Sequence, residues 1–428
     1  MLFNQTLTYI SLFSGAGVGC YGLLEEGFEC VATNEILEKR LNIQRINNKC
    51  KFDEGYICGD IKELEIKEKI LKQIGFYSKK FGNDRVDLVV ATPPCQGMSV
   101  ANHKKKNDEI KRNSLVIESV DLIKQIKPRF FILENVPSFY KTGCIDKNDN
   151  LLEIGSMIEQ NLSSDYRLYD EVINFKNFGA NSSRTRTLVI GVCKEFKDFI
   201  SALEFFPDFK QEKTLKEVIG SLKPLTWGEY DSADFYHSFR TYPKHMQEWI
   251  KDLKEGQSAF ENVQDAISDL AYLCSNEGAF ESDYLNPIQS SYQALMRKNS
   301  PKLYNHQATN HSQAALEKLK LINKEKGKEC LPKNLHGKQQ FKSTWGRLNW
   351  NKISPTIDTR FDTPSNGTNS HPELHRSITP REAARIQSFS DNYIFYGNKT
   401  SVCKQIGNAV PPLLALALGK AILKNLRK

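Results

Sequence analysis

Long apolar runs, a cysteine framework and a signal-peptide pattern are all missing from this sequence of 428 residues. No stretch of about 18 apolar residues occurs, which argues against a membrane span. The ten cysteines include no CxxC pair, so we expect reduced thiols in a cytoplasmic protein. The N-terminal segment MLFNQTLTYISLF has no basic stretch and no small-residue cleavage site. It predicts a first strand rather than a leader.

Internal repeats, long low-complexity tracts and a convincing histidine and cysteine cluster are also absent from the sequence. We therefore predict no metal site. The apolar share of 39% is enough for a packed core and argues against a disordered chain. At roughly 150 residues per domain, the length favours two or three domains.

The net charge of +8 permits a polyanionic partner without establishing one. Residues 101–112 hold five basic side chains against two acidic ones, and residues 302–338 hold eight lysines against three glutamates. Ordinary solvated surface charge explains either run when it is taken alone.

Short apolar runs alternate with longer amphipathic ones through residues 1–192. The candidate strands are Leu7–Phe13, Cys30–Asn34, Val86–Ala91, Arg129–Leu133 and Leu188–Val192. A helical pattern over Leu115–Ile126, stopped by Pro128, lies between the third and fourth strands. This alternation predicts an α/β fold with a doubly wound, mostly parallel sheet, which binds ligands at the carboxyl ends of its strands.

The remaining sequence divides into two segments. Residues 193–345 mix aromatic, proline and polar residues without a βα rhythm, and predict a second, smaller, irregular domain. Residues 346–428 are orderly again. Thr379–Glu382 has the N-cap, proline and acidic residue of a helix start, and a final helix is expected over Leu413–Leu426.

A glycine-rich turn, Ser14–Gly19, follows the first predicted strand. Glycines there let the backbone turn tightly and approach a ligand closely. Glu35 ends the next strand, where an acidic residue would hold a ribose hydroxyl, and Asp60 could accept a hydrogen bond from an adenine amino group. These features predict a nucleoside-binding unit, although ordinary turns explain each of them alone. Cys20 replaces the third glycine of the dinucleotide pattern GxGxxG.

The segment Ala91–Gly97 reads ATPPCQG and follows an apolar strand. Two prolines stiffen the chain before Cys95, so the thiol is presented on a fixed loop, as a nucleophile requires. Lone cysteines are more often inert packing, but those seldom follow two prolines at the end of a strand. A free thiol titrates near about 8.5, so Cys95 needs nearby positive charge or dipoles to form thiolate at neutral pH.

Charged side chains are also expected at this edge of the sheet. Glu134 ends the next strand and would face the same crevice as Cys95. Arg184 and Arg186, two residues apart, would point to one side, towards a carboxylate or a phosphate. A structural ion pair between Glu134 and Arg186 is the alternative, and it is compatible with function because such a pair can position an acid.

These segments resemble the motifs of the cytosine-C5 DNA methyltransferase family, in the family's order and over nearly the full chain. The matching segments are Phe13–Gly17, Pro93–Gln96, Glu134–Val136, Arg381–Gln387 and Gly407–Pro411. Five motifs in one order are not expected by chance. In one departure, the family's Gln-x-Arg-x-Arg is Ser182–Arg186 here, preceded by Asn181 instead of proline.

The resemblance implies an enzyme that moves a methyl group from S-adenosylmethionine to carbon 5 of a flipped cytosine. Cys95 would attack carbon 6, and Glu134 would donate a proton to ring nitrogen 3 or share one with it. Arg186 would hold the base oxygen and orient Glu134, while Arg184 would serve the phosphate side. The implied cofactor contacts are Phe13, Gly15, Gly17, Glu35, Ile36, Asp60, Ile61, Pro93 and Asn408.

The resemblance also implies double-stranded DNA as partner, with residues 96–112 as a loop that closes over it. The implied DNA contacts are Gln96, Ser99, Lys104, Lys105, Lys106 and Arg112. Residues 193–345 would be the target recognition domain, and residues 346–428 would return to complete the cofactor pocket. The family setting implies a monomer in a bacterial restriction–modification system, with a cognate restriction endonuclease acting on the same site.

Residues 193–345 offer several polar side chains for reading bases. The candidates are Arg240, Arg297, Asn305, His306, Gln307 and His311. Helix caps and surface polar contacts explain these residues equally well, and side-chain readout depends on docking geometry.

Three alternatives remain open at the level of sequence. A tRNA cytosine-5 methyltransferase shares the chemistry and the motifs, but the long segment 193–345 favours DNA. An NAD-linked oxidoreductase leaves Cys95 and Glu134 unexplained. A catalytically inactive DNA-binding relative would be expected to lack Cys95, Glu134 or Arg186, and all three are present.

Overall fold

The computed structural model describes residues 6–83, 85–94, 113–195, 262–298, 300–323, 327–336 and 343–426. The strands of the first half are β1 Thr8–Leu12, β2 Glu29–Glu35, β3 Tyr56–Cys58, β4 Leu88–Ala91, β5 Phe130–Asn135, β6 Gly143–Ile145, β7 Leu151–Glu153, β8 Tyr166–Asn174 and β9 Thr185–Cys193. The helices of this half are α1 Tyr21–Glu25, α2 Glu38–Ile46, α3 Leu64–Phe81, α4 Leu115–Ile126 and α5 Ile154–Leu162.

Seven of these strands form the central sheet, in the order β3-β2-β1-β4-β5-β9-β8. Strands β1 to β5 pair in parallel, whereas β9 is antiparallel to both β5 and β8. The sheet is therefore mostly parallel, and the chain reverses its winding direction between the adjacent strands β1 and β4. Loops after the carboxyl ends of strands at such a switch point form a crevice that commonly binds ligands.

Helices cover both faces of the sheet, as the sequence predicted. One face packs against α3, α4 and α5, with Ile70, Val120 and Ile158 fully or almost fully buried. The other face packs against α1 and a C-terminal helix that supplies Leu414 and Leu418. Burying apolar side chains on both faces explains why the inner strands are continuous hydrophobic runs.

The second half contains shorter elements. Its strands are β10 Gly278–Ser282, β11 Leu303–Gln307, β12 Gly346–Arg347 and β13 Thr368–Ser370. Its helices are α6 Val263–Ile267, α7 Ser291–Arg297, α8 Gln313–Leu321, α9 Pro380–Ile386, α10 Lys399–Gly407 and α11 Pro412–Leu426. Helix α9 begins at the predicted N-cap, where Thr379 and Glu382 form a capping box.

The described part of residues 193–345 shares a core with the C-terminal segment. Ile267 and Tyr292 pack in one cluster with Ala384 and Phe389. Arg385, fully buried, bonds to Asp269 and to Asp391. The predicted boundaries at 192 and 345 stay a prediction, since residues 196–261 lie outside the described ranges, and a separate second domain is not shown.

Four candidate base readers make contacts inside the protein. Arg297 pairs with Asp269 at 2.7 Å, and Asn305 donates to the carbonyl of Phe395 at 2.9 Å. The two histidines also have partners inside the protein. His306 bonds to the Thr379 hydroxyl and to the Ala271 carbonyl, and His311 bonds to the Ser377 hydroxyl. Internal contacts thus account for these four side chains. Gln307 is exposed, and Arg240 lies outside the described residues.

One helical stretch, Lys399–Leu426, is long and apolar enough to cross a membrane by length and composition alone. However, 61% of its most apolar window is buried inside the protein. Leu414, Leu418 and Ile422 belong to the core on one face of the sheet. Their burial against the sheet accounts for the apolar composition of the stretch.

Gly22 allows α1 to lie directly against α11. A Cβ atom at Gly22 would lie 2.0 Å from the carbonyl oxygen of Pro412 and 2.5 Å from the amide nitrogen of Leu416. Because both atoms belong to the backbone, neither can rotate away. We expect Gly22→Ala to lower the free energy of unfolding by about 1–3 kcal/mol, measured by chemical denaturation.

Gly75 provides the matched control within α3, because a Cβ atom there meets nothing within 4 Å. We expect Gly75→Ala to raise the free energy of unfolding by about 0.5–1 kcal/mol, since alanine restricts the unfolded chain and favours the helix. An unchanged or raised free energy of unfolding in Gly22→Ala would contradict the close packing of α1 on α11.

Candidate active site

A cleft of about 1120 Å³ lies at the carboxyl ends of the central strands. The predicted site residues that line it are Phe13, Gly15, Glu35, Ile36, Asp60, Ile61, Pro93, Glu134, Arg184, Arg186 and Asn408. Gly17 is not on the cleft wall. Side chains from distant parts of the sequence therefore meet in one space, where a ligand and a reacting group would be close together.

The glycine turn after β1 has a left-handed backbone at several positions. Phe13 has φ 53°, Gly15 has φ 56° and Gly17 has φ 86°. A bulky residue with positive φ is uncommon and tends to occur at ligand sites. A Cβ atom at Gly15 would meet nothing within 4 Å. The positive φ therefore favours glycine at position 15, and the turn leaves room for a ligand beside it.

Glu35, at the end of β2, is only 4% exposed. One carboxylate oxygen accepts a hydrogen bond from the Gly15 amide at 2.9 Å, and the other accepts from the Leu37 amide and from Arg40. These contacts fix the carboxylate at the cleft edge, as hydrogen bonding to a ribose would require. Ile36 is 58% exposed beside it and supplies apolar surface for a flat ring.

The lining residues of the cleft are of the kinds that could hold a nucleoside with a polar tail. It combines a fixed carboxylate, an exposed apolar side chain, an open glycine turn and polar atoms of Asp60 and Asn408. Such sites are mostly apolar with a few well-placed polar groups. The described residues contain no group of three or more histidine, cysteine or acidic side chains able to hold a metal ion.

The segment before Cys95 is anchored on both sides. Thr92 donates its hydroxyl to the carbonyl of Phe13 at 3.0 Å. Asn135 donates its amide to the carbonyl of Pro93 at 2.9 Å. The entry to the predicted nucleophile loop is therefore held by the strands on either side, and it is joined directly to the glycine turn.

Several predicted residues lie outside the described part of the chain. They are Cys95, Gln96, Ser99, Lys104, Lys105, Lys106 and Arg112. Their roles stay predictions.

Glu134 and Arg186 form an ion pair on the cleft wall. Glu134 pairs across the sheet with Leu188, so Arg186, two residues away on β9, shares its face. The Arg186 Nε lies 3.1 Å from the Glu134 carboxylate, and the two side chains are 16% and 12% exposed. Burial raises the pKa of Glu134, and the opposing charges of Arg186 and Arg184 only partly offset this effect. A carboxyl group of this kind keeps a proton to higher pH, as an acid catalyst needs.

Arg184 has a different environment from the one expected. We expected it to serve the phosphate side, but it is 7% exposed and donates to the carbonyls of Gly407 and Ile357. The physical reason is that the C-terminal segment packs over the start of β9. Gly407 is the first residue of the motif segment Gly407–Pro411, so Arg184 bonds this segment to the chain at the start of β9.

The departure at Ser182 lies in the same region. Ser182 is fully buried and bridges to Ser354. The amide of Ser183 donates to the Ser354 carbonyl at 3.0 Å, and the Asn181 side chain accepts from the Ser354 amide at 3.3 Å. Small side chains here let the C-terminal segment dock closely on the chain before β9.

We expect Arg184→Met and Arg186→Met to have different effects. Removing Arg184 leaves the buried carbonyls of Gly407 and Ile357 without this donor, which should lower the free energy of unfolding by about 1–3 kcal/mol. Removing Arg186 should mainly lower the rate of the reaction, because its partner is the candidate acid Glu134. Denaturant unfolding of both variants, and assays of the methyl transfer that the sequence resemblance implies, check this. Loss of stability confined to Arg186→Met would contradict the assignment.

Thr92 and Asn135 were not predicted as anchors from the sequence, although both lie within motif segments, ATPPCQG and Glu134–Val136. Gln44, in α2, was not predicted either, although its side-chain amide donates to Ser14 and Gly15 of the glycine turn. A polar residue among the buried positions of a helix is the only signal in the sequence, and it does not say which partner the residue meets.

Comparisons with known proteins show the family of this chain. The family model described as C-5 cytosine-specific DNA methylase matches residues 7–424. The type II methyltransferase M.DdeI of Desulfomicrobium norvegicum is 28% identical, over 97% of this chain and 88% of that protein. The type II methyltransferase M1.HphI of Haemophilus parahaemolyticus is 26% identical, over 99% of this chain and 88% of its own length.

Solved structures share the fold. A crystal structure of a prophage-encoded protein from E. coli, described as a DNA modification methyltransferase, superposes with a TM-score of 0.64 at 21% identity. It covers 99% of this chain and 100% of that one. The Dnmt2 methyltransferase of S. pombe has a TM-score of 0.55 at 13% identity, with 99% and 100% covered. With a family model matched from residue 7 to residue 424, this chain belongs to the C-5 cytosine-specific DNA methylases.

Proposed function

We propose that this chain is a sequence-specific DNA (cytosine-5)-methyltransferase of a bacterial restriction–modification system, with Cys95 as its covalent nucleophile. The observation that carries the proposal is the largely buried Glu134–Arg186 pair, which lines the same cleft as the glycine turn and Pro93. An acid, a loop that presents a thiol and a nucleoside site are the three parts that cytosine methylation needs.

The reaction requires the target base outside the duplex, because the ring atoms are inaccessible inside the stack. The Cys95 thiolate adds to carbon 6 of the flipped cytosine while Glu134 transfers a proton to ring nitrogen 3. The electron pair released onto carbon 5 makes that atom nucleophilic. Arg186, which pairs with Glu134, orients the carboxyl group and holds the base oxygen.

S-adenosylmethionine, the methyl donor expected for this family, supplies an electrophilic methyl group on its sulfonium when it is bound in the cleft. Glu35 would accept hydrogen bonds from the ribose, Ile36 would pack on the adenine, and Asp60 would accept from its amino group. After methyl transfer, a base or a water molecule removes the proton from carbon 5, the C5=C6 double bond re-forms and the thiolate of Cys95 leaves. Ring nitrogen 3 returns its proton to Glu134, which leaves neutral 5-methylcytosine and the regenerated acid.

The partners follow from the same proposal. Gln96–Arg112 would close over duplex DNA, and residues 193–345 would read the target sequence through base edges while phosphate contacts fix the register. The type II methyltransferase names of the relatives support a cognate restriction endonuclease with the same target. We further propose that the enzyme acts as a monomer in the cytoplasm.

The test is methyl transfer from labelled S-adenosylmethionine to mixed-sequence duplex DNA, with bisulfite sequencing of the product. We expect methylated cytosine at one defined sequence. Labelling of tRNA with none of the DNA would retain the chemistry and overturn the proposed substrate. No transfer to either nucleic acid would overturn the proposed activity and favour an inactive DNA-binding relative.

A further inference from the structure

A network of buried polar side chains makes hydrogen bonds to the glycine turn. It consists of Lys49, Thr33 on β2 and Gln44 on α2, which are 3%, 0% and 1% exposed. The Lys49 ammonium lies 3.2 Å from the Thr33 hydroxyl, which lies 2.7 Å from the Gln44 carbonyl oxygen. The Gln44 amide nitrogen lies 2.8 Å from the Ser14 hydroxyl and 2.7 Å from the Gly15 carbonyl.

Lys49 sets the donor-to-acceptor direction of every hydrogen bond in this network. An ammonium group only donates, so the Thr33 hydroxyl accepts from Lys49 and directs its own proton to Gln44. The side-chain oxygen of Gln44 must therefore face Thr33. Its NH₂ group then faces the turn, where both protons have acceptors. The opposite amide orientation would place the oxygen against the Gly15 carbonyl, with two acceptors in contact.

Hydrogen bonds therefore hold both backbone groups of Gly15, its carbonyl and its amide. Its carbonyl accepts from Gln44, and its amide donates to the Glu35 carboxylate at 2.9 Å. The Ser14 hydroxyl, which accepts from Gln44, donates to the Asn34 carbonyl at 3.0 Å. Gln44 therefore acts through Gly15 on the orientation of Glu35.

Gln44 supports the turn without touching the ligand space. It does not line the cleft, whereas its neighbours Asn42 and Ile43 do. A Cβ atom at Gly17 would lie 2.6 Å from the Gln44 Cγ, so the turn and the glutamine are in direct contact. A contact of this kind transmits a change at Gln44 to the backbone of the turn.

We propose that Gln44, oriented by Thr33 and Lys49, is a positioning residue that fixes the glycine turn and Glu35 for cofactor binding. The inference rests on the proposed function, because it takes the ligand of the cleft to be S-adenosylmethionine. Its effect is on affinity for the cofactor, since none of these three side chains lines the cleft in which the reaction would take place.

Isothermal titration of the full chain with S-adenosylhomocysteine, in the absence of DNA, tests the proposal. Thr33→Val keeps the shape of the side chain and suits a buried strand, but it removes the hydroxyl that orients Gln44. We expect Thr33→Val and Gln44→Leu to bind about 3- to 10-fold more weakly, the effect of one or two net hydrogen bonds. Thr33→Ser keeps the hydroxyl and should restore affinity to within about twofold of the wild type.

A kinetic measurement separates positioning from folding. With DNA at saturation, the KM for S-adenosylmethionine should rise by the same factor in Thr33→Val, while kcat changes by less than about twofold. Unchanged affinity in the folded variants, whatever their melting temperature, would overturn the inference, as would a fall in kcat at constant KM. If Gln44→Leu does not fold, Thr33→Val decides the question.

The outcome for the wild type distinguishes the two proposals. Failure of the wild-type chain to bind S-adenosylhomocysteine would overturn the proposed function. Binding by the wild type with equal binding by Thr33→Val would overturn the positioning role alone.

Discussion

Replacing Cys95 with serine should lower the rate of methyl transfer to DNA by at least about 10⁴-fold, the scale seen when a covalent nucleophile is removed. A serine hydroxyl is a far weaker nucleophile than a thiolate at neutral pH, so addition to carbon 6 becomes rate-limiting. The measurement is the single-turnover rate with labelled S-adenosylmethionine. Affinity for S-adenosylhomocysteine should be retained, because the predicted cofactor contacts are untouched.

Cys274→Ser is the matched control for this variant. Cys274 is an exposed thiol outside the cleft, and its replacement should leave the methyl-transfer rate unchanged. Wild-type activity in Cys95→Ser would show that the reaction does not proceed through this thiol.

Glu134→Gln should lower kcat by about 10²- to 10³-fold, because general acid catalysis contributes on that scale. The amide keeps the shape and can still donate a hydrogen bond to ring nitrogen 3, but it cannot transfer a proton. Asp170→Asn, at an exposed carboxylate on β8, is the matched control and should have full activity.

The pH dependence gives a second test of Glu134. Its pKa is raised by burial, so the protonated acid is present at low pH and is lost as pH rises through that raised value. Glutamine does not titrate. The ratio of wild-type to Glu134→Gln rates should therefore be largest below the raised pKa and should shrink above it. A ratio that grows with pH would contradict an acid role.

The same shift has a consequence for stability. Because the folded-state pKa of Glu134 lies above its ordinary value, the fold favours the protonated form, and this contribution disappears as pH rises through the folded pKa. Relative to Glu134→Gln, the free energy of unfolding of the wild type should therefore fall as pH rises from the ordinary pKa of a glutamate to the raised pKa of Glu134.

Elements with a strong periodic pattern were predictable from the sequence. The helix predicted over Leu115–Ile126 has those bounds in the structure, because its apolar residues recur at helical spacing and Pro128 follows. The strand predicted at Arg129–Leu133 is Phe130–Asn135, shifted by one or two residues. Local pattern was sufficient here because burial on both sides of the sheet leaves continuous apolar runs.

Elements with a weak pattern were not assigned. β8, Tyr166–Asn174, is an edge strand that carries Arg167, Asp170 and Glu171, and charge on edge strands obscures the alternation of a strand. β3, Tyr56–Cys58, has three residues, too few for any periodicity.

In the candidate site too, some residues could be predicted from local sequence and others could not. The positions of Glu35 and Glu134 on the cleft wall could be predicted because strand ends converge at one edge of a parallel sheet. The environment of Arg184 could not, because its partner Gly407 lies 223 residues away in sequence. The contact of Gln44 with the glycine turn likewise depends on how α2 packs, which no local pattern encodes.

The most direct test of cytosine methylation through Cys95 is to trap the covalent adduct. Duplex DNA in which 5-fluorocytosine replaces cytosine lacks the carbon 5 proton that must leave before the thiolate can be released. Incubated with S-adenosylmethionine and this DNA, the wild-type chain should form a denaturation-resistant complex that mass spectrometry assigns to Cys95, and Cys95→Ser should form none. An adduct on another residue, or no adduct from a chain that methylates DNA, would contradict the mechanism.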